Sequence, residues 1–203
     1  MNLFDEKILS RKAVDEYQLI GQIFDTYWIA VYHDKMILID QHAAHERVLF
    51  ERILKGVDGN LSQRLLIPVT IDLSRSDMVF LSKNAEFVEK VGYEIELFGQ
   101  NTIKLNAIPA ALSQDNAGNT FKDMLSGAID SGSSSTSRTD LETVAMSACK
   151  AAVKANDKLT VEEAVALLKQ LSLCEQPFTC PHGRPTILNI STKEIERRFG
   201  RRG

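Results

Sequence analysis

The sequence predicts an α/β fold: a mixed β-sheet with packed helices, interrupted by a smaller inserted α/β subdomain. Three observations carry this expectation. Strand-like runs cluster near the start, segments of helical period alternate with strands after them, and the pattern changes after Gly59 before helices resume at Thr139. With 203 residues the chain has room for one large domain or two modest subdomains. Its 44% hydrophobic and 25% charged residues are ordinary for a globular protein and indicate neither disorder nor a fibre.

Residues 1–16 are charged, lack a clean period and read as a linker or tail. Runs 17–24, 27–32 and 36–39 read as strands, the last two joined by a tight turn at His33-Asp34-Lys35. Trp28 to Val31 and Met36 to Ile39 are apolar at every position, so both faces of this sheet need cover. Helices of the same chain can cover one face, and a second copy of the chain the other. Asp40 is placed to cap a helix running to about Leu54. On a helical wheel His42 and Glu46 share the apolar side with Ala43, Leu49, Phe50 and Ile53. Arg47 and Glu51 fall on the outer side as an i,i+4 pair.

Beyond Gly59, a strand at 65–73, an amphipathic helix at 75–91 and a hairpin of 93–98 with 102–108 build the insert, the hairpin turning at Gly99-Gln100-Asn101. A helix near 119–129 ends in the serine-rich run 131–137, a mobile loop by composition. Helices at 139–156 and 160–172 follow, the second opened by a capping box of Thr160 with Glu163. A strand at 186–190 and a helix from Ser191, with Glu194 as capping partner, close the chain. The division is therefore a linker at 1–16, one subdomain from 17–56 with 139–203, and an insert at 57–138.

The formal charge of −3 counts against strong unaided binding to nucleic acid. No apolar run approaches the ~20 residues of a membrane span, and the opening residues are not a secretory signal. Cys149, Cys174 and Cys180 lack the spacing of a disulfide framework, which points to a reducing cytoplasm.

Two distant stretches carry metal-ligating side chains. Residues 40–51 put His42 and Glu46 four apart, on the same side of a helix. Cys180-Pro181-His182 sets a thiol and an imidazole two apart, which an extended or turn backbone can aim the same way. Histidine, glutamate and cysteine are the ligands of a zinc-like cation. Each piece alone has a plainer reading: a buried histidine–glutamate hydrogen bond, a proline-rich turn, and for Cys149 apolar packing in a small-residue helix. Counted together, His42, Glu46, Cys149, Cys180 and His182, with Asp40 as a sixth, exceed the four ligands of a closed structural zinc site. Such a set suffices for two metals, which can hold the attacking and leaving oxygens of a phosphodiester.

These stretches resemble motifs of the MutL family of DNA mismatch-repair proteins. Residues 40–51 resemble its DQHA-x2-E-x4-E motif, Ala148-Cys149-Lys150 its Ala-Cys-basic motif, Cys180 to Pro185 its CPHGRP motif, and Phe199-Gly200-Arg201 its closing Phe-x-Arg motif. The four occur in order from Asp40 to Arg201. The resemblance implies the C-terminal domain of an endonuclease-type member, a piece of a longer protein whose ATPase half has no counterpart here. It implies a homodimer, bacterial, cytoplasmic and nucleoid-associated, and a latent metal-dependent endonuclease that nicks one strand of duplex DNA. Carried over by position, the metal ligands are His42, Glu46, Cys149, Cys180 and His182, with Asp40, His42 and Glu46 catalytic. Glu51, Arg184 and Arg201 are supporting residues. Zn2+ is the implied structural, regulatory or catalytic ion, with Mn2+ or Mg2+ for cleavage. The mismatch-recognition MutS protein is implied as a partner of the full-length protein.

Gln63-Arg64-Leu65-Leu66-Ile67-Pro68 resembles the Gln-x-Leu-x-x-Pro peptide by which repair proteins dock on the replisome's sliding clamp. Leu65, Leu66 and Pro68 would fill a pocket while Gln63 makes polar contacts. The plainer reading is an edge strand whose leucines are core. A clamp tether would supply the effective concentration on DNA that an acidic domain lacks. The basic tail from Arg197 to Arg202 suits either phosphate contact or an ordinary solvated helix end. The rival to a nuclease is a non-catalytic dimerisation and clamp-docking module with structural zinc. A zinc hydrolase of small substrates is the third reading, disfavoured by the clamp-like peptide.

Overall fold

The computed structural model describes residues 8–56, 62–110, 112–132, 140–153 and 159–201, and the chain divides into two compact units. The first unit comprises Met1–Val48 and Asn156–Gly203, the second Leu49–Ala155.

The first unit is built on strands β1 (Gln18–Ile23), β2 (Tyr27–Tyr32), β3 (Lys35–Asp40) and β7 (Ile187–Ser191), in the order β1-β2-β3-β7. The β1–β2 turn passes through Phe24 and Asp25, both at positive φ, the geometry that matches a hairpin's twist. The β2–β3 turn at His33 falls where the sequence places it. One face, with Trp28, Ala30, Ile37, Ile39 and Ile187, is buried together with Ala44, Val48, Leu167, Leu168 and Leu171. Leu167, Leu168 and Leu171 lie on α6 (Val161–Leu171), which opens with the expected capping box of Thr160 and Glu163. The register aligns Ile29 with Leu38 and Leu188, and Val31 with Met36 and Ile190, on the other face. That face is half-buried or exposed. Helix α7 (Thr192–Arg198) closes this unit. Ser191 caps it, while the Glu194 carboxylate holds Arg197 and Arg198.

Residues 8–16 correct the expectation of a linker. Ile8, Leu9, Ala13 and Val14 are buried, the helix α1 (Arg11–Asp15) is capped by Ser10, and the Tyr17 hydroxyl donates to the Ile8 carbonyl at 2.7 Å. Five helical residues are too few to display a period, so the segment is ordered by its partners and not by its own pattern. Residues 1–7 lie outside the described residues.

The second unit holds the sheet β4 (Ser62–Asp72), β6 (Thr102–Pro109) and β5 (Glu94–Leu97), in that spatial order, with β6 central. Its helices are α3 (Arg75–Val91), α4 (Ala117–Gly132) and α5 (Asp140–Val153). Ile71, Ile103 and Leu105 from the sheet meet Val88, Phe121, Met124, Leu125, Val144 and Ala148 from the helices. Gly127 lets α4 approach α5 closely, since a Cβ there would meet the Ser147 hydroxyl at 3.3 Å. Of the loop expected at 131–137, residues 131 and 132 instead end α4, and 133–137 lie outside the described residues.

The α/β class holds, but every described ladder is antiparallel, so neither sheet is mixed. Helix α2 (Gln41–Gly56) crosses the division after Val48, and α5 belongs wholly to the second unit. The insert expected at 57–138 starts after α2 and stops before α5. The difference arises because Leu49, Ile53, Val144, Ala145 and Cys149 all pack in the second unit's core. No described helix is long and apolar enough to cross a membrane.

Candidate metal centre

In the first unit, the start of α2 and the segment before β7 bring three ligand groups together. Asp40 ends β3 and caps α2, its Oδ1 accepting from the Ala43 N–H at 3.0 Å. The helix then carries His42 and, one turn on, Glu46. The second component is a tight loop. Cys180 N–H donates to the Arg184 carbonyl at 2.8 Å, Gly183 N–H donates to the Cys180 carbonyl at 2.9 Å, and Thr179 bridges to Pro185. Gly183 sits at φ 85°, which glycine adopts without strain, and the turn aims Cys180, His182 and Arg184 at Glu46.

Glu46, Cys180 and His182 offer a carboxylate oxygen, a thiol sulfur and an imidazole nitrogen, all within 4.8 Å of one another. His182 Nδ1 lies 3.1 Å from Glu46 Oε2, and Arg184 Nη2 donates to the same oxygen at 2.8 Å. Burial raises the Glu46 carboxyl, but hydrogen bonds from His182 and Arg184 outweigh it and hold the group below the usual carboxylate range. Burial also raises the Cys180 thiol, and hydrogen bonds with His182 and Arg184 bring it below its ordinary value. The same contacts, with Cys180 and then Glu46, push His182 up to about 9 and Arg184 upward as well. At neutral pH the cluster is thus a buried carboxylate faced by two cations. Thiol, imidazole and carboxylate suit a zinc-like cation, and three protein donors leave a tetrahedral ion one open position.

The other anticipated residues are placed as follows. Asp40 and His42 stand on the same helix end without joining the group of three, His42 being half-buried. Burial, and then the neighbouring His42, lower the pKa of His45. Cys149 belongs to the second unit, where α5 buries it completely in apolar core close enough to Tyr93 to act on its hydroxyl. Arg184 pairs with the Glu46 carboxylate. Arg201 is exposed, and Arg197 and Arg198 are both engaged by Glu194.

Two corrections concern α2. Arg47 and Glu51 do not face outward, being 6% and 8% exposed. Arg47 Nε donates to the Thr179 carbonyl at 2.5 Å, tying the helix to the cysteine loop, and Glu51 meets Lys55 at 3.4 Å. No residue from 41 to 51 is exposed, so a wheel with one apolar side mispredicts this helix. Gln41 is a positioning residue to which the sequence reading assigns no role. Its Oε1 accepts from Gln22 and Trp28, its Nε2 donates to the Asp25 carbonyl, and it is 1% exposed. The signal was a polar residue at the first helical position straight after an apolar strand, where only a side-chain partner makes burial tolerable.

The clamp-like segment divides in two. Gln63 Nε2 donates to the carbonyls of Pro109 and Leu112, at 3.2 and 2.5 Å, and its Oε1 accepts from Gln114. The ladder to β6 breaks between Arg64 and Val69. Leu65 packs against the core, while Leu66 and Ile67 are 94% and 78% exposed and Pro68 is exposed beside them.

A family model described as the MutL C-terminal dimerisation domain matches residues 20–159. A DNA mismatch repair protein MutL of Clostridium tetani is 40% identical over 188 residues, covering 92% of this chain and 30% of that protein. The protein of the same name from Agathobacter rectalis is 38% identical over 200 residues, covering 98% and 31%. That from Caldanaerobacter subterraneus is 36% identical over 190 residues, covering 94% and 32%. The chain spans just under a third of the length of these curated relatives. With the family model matching most of the chain and the motif residues in place, the chain belongs to the MutL C-terminal dimerisation domain family.

Proposed function

We propose that this chain is the dimerisation and endonuclease domain of a mismatch-repair protein, nicking one strand of duplex DNA through a metal centre at Glu46, Cys180 and His182. The observation that carries the reading is the convergence of those three donors from two distant segments. Asp40 and His42, at the start of α2 with Glu46, are proposed as further ligands on the family resemblance alone. Zn2+ suits the thiol and imidazole, and Mn2+ or Mg2+ is the companion for cleavage. When bound, the cation supplies Lewis acidity toward a phosphodiester and lowers the pKa of water. The chain's own part is to hold the donors. Arg47 anchors the cysteine loop to α2, Gln41 fixes the start of α2, and Asp40 caps it. A purely structural zinc would close with four donors, so the ligand count of the metal-loaded protein separates the two readings.

The test is nicking of supercoiled plasmid by the full-length protein containing this domain, with Mn2+ and loaded clamp. Glu46→Lys is expected to abolish nicking, and equal activity in both proteins would remove Glu46 from the mechanism.

The chain acts as a homodimer, with MutS engaged by the whole protein. The supporting feature is the second face of the first sheet, where Ile29, Val31, Met36, Leu38, Leu188 and Ile190 align across three strands. An apolar face of this kind is an association surface. Val31→Arg with Leu188→Arg should yield a folded monomer by light scattering, whereas an intact dimer would place the interface elsewhere. Clamp docking is assigned to the exposed Leu66, Ile67 and Pro68, because Gln63 is engaged within its own unit.

A further inference from the structure

Arg184 stands on the oxygen that a metal ion would use. Its Nη2 donates to Glu46 Oε2 at 2.8 Å, and its side chain also bonds Cys180, so it engages two of the three donors. The third, His182, meets the same Oε2. A buried carboxylate needs a counter-charge, and two neighbouring cations provide it here. They differ in how they can yield. His182 can lose its proton and become a neutral ligand, whereas a guanidinium keeps its charge and has no lone pair to offer a metal. A divalent ion at Glu46 and Cys180 therefore repels Arg184 and competes with it for both donors. The backbone of Arg184 is held by Cys180 N–H and the flanking Thr179–Pro185 bridge, yet its side chain is 54% exposed. The guanidinium can swing into solvent without moving the loop.

We propose that Arg184 is a built-in counter-ion that a divalent cation must displace from Glu46, so that this residue sets how tightly the centre loads. The inference rests on the metal-centre reading above. It opposes the usual role of an outer partner, which orients a ligand and strengthens binding.

Zinc affinity of the whole 203-residue chain, measured by competition with a chromophoric chelator, separates the cases. Wild type is expected to bind and Cys180→Ser to lose binding; failure of wild type to bind would sink the metal centre itself. Given binding, Arg184→Gln is expected to tighten it by about tenfold or more, on the scale of outer-partner effects. Arg184→Lys, which keeps the positive charge, should stay near wild type. Unchanged or weaker binding by Arg184→Gln would overturn the counter-ion role while leaving the metal centre standing. Should that variant fail to fold, a zinc-loaded wild-type crystal structure decides. Arg184 turned away from Glu46 supports the proposal, and a retained hydrogen bond refutes it.

Discussion

The cysteine loop and the bulged part of β4 are both short segments with a polar residue near the start and a proline at the end, yet the fold uses them in opposite ways. In the loop, Cys180, His182 and Arg184 turn their polar groups toward one buried carboxylate. In β4, Gln63 turns its amide onto backbone carbonyls of its own unit, and the apolar Leu66 and Ile67 project outward. The contrast lies in what each segment has to satisfy. Glu46 is buried and needs cations, so the loop's polar groups are drawn in. The Leu112 carbonyl needs a donor, and Gln63 supplies it while adding a second bond to the Pro109 carbonyl, which the Leu112 N–H already meets. What remains for a partner is charge chemistry in one case and apolar surface in the other.

The largest effect that would break this comparison is expected at the bulge. Leu66→Asp with Ile67→Asp should abolish capture by immobilised sliding clamp, while thermal unfolding stays near that of the parent. Undiminished capture would mean that the exposed pair is not the docking element. The next effect sharpens the loop side. His182 is held protonated to about pH 9, and a metal needs its neutral form. Apparent zinc affinity should therefore keep rising between pH 6.5 and 9, by about tenfold per pH unit for each proton displaced. An affinity already level above pH 7 would show that His182 has an ordinary pKa or is not a ligand. The smallest effect concerns Gln63. Its replacement by alanine strands the Leu112 carbonyl and should cost about 1–3 kcal/mol in a urea titration. A neutral result would return Gln63 to the docking surface.

Much of the secondary structure was legible. The apolar period located α3, a capping box located α6, the turn residues located the β2–β3 and β5–β6 hairpins, and Asp40 marked the start of α2. Glu46, Cys180 and His182 were also picked out, because acid, thiol and imidazole residues are scarce at spacings that share a direction. Arg47 and Glu51 were misplaced because a wheel knows only the helix's own residues. The Thr179 carbonyl that makes burial of Arg47 tolerable lies far along the chain. The order of residues 8–16 was missed for the same reason, since Ile8 and Val14 are ordered by packing against sheet and helix residues from elsewhere.

What the sequence by itself determined are the elements, most of their caps and turns, and which thiol, imidazole and carboxylate side chains are candidates to converge. These follow from interactions within a few residues, which local order encodes directly. Only the tertiary structure decided which polar groups meet, that Arg184 and His182 share one oxygen of Glu46, and that Gln63 faces inward. A buried polar group is tolerable only with a partner, and the partner comes from wherever the folded chain passes, a relation that spacing along the sequence does not contain.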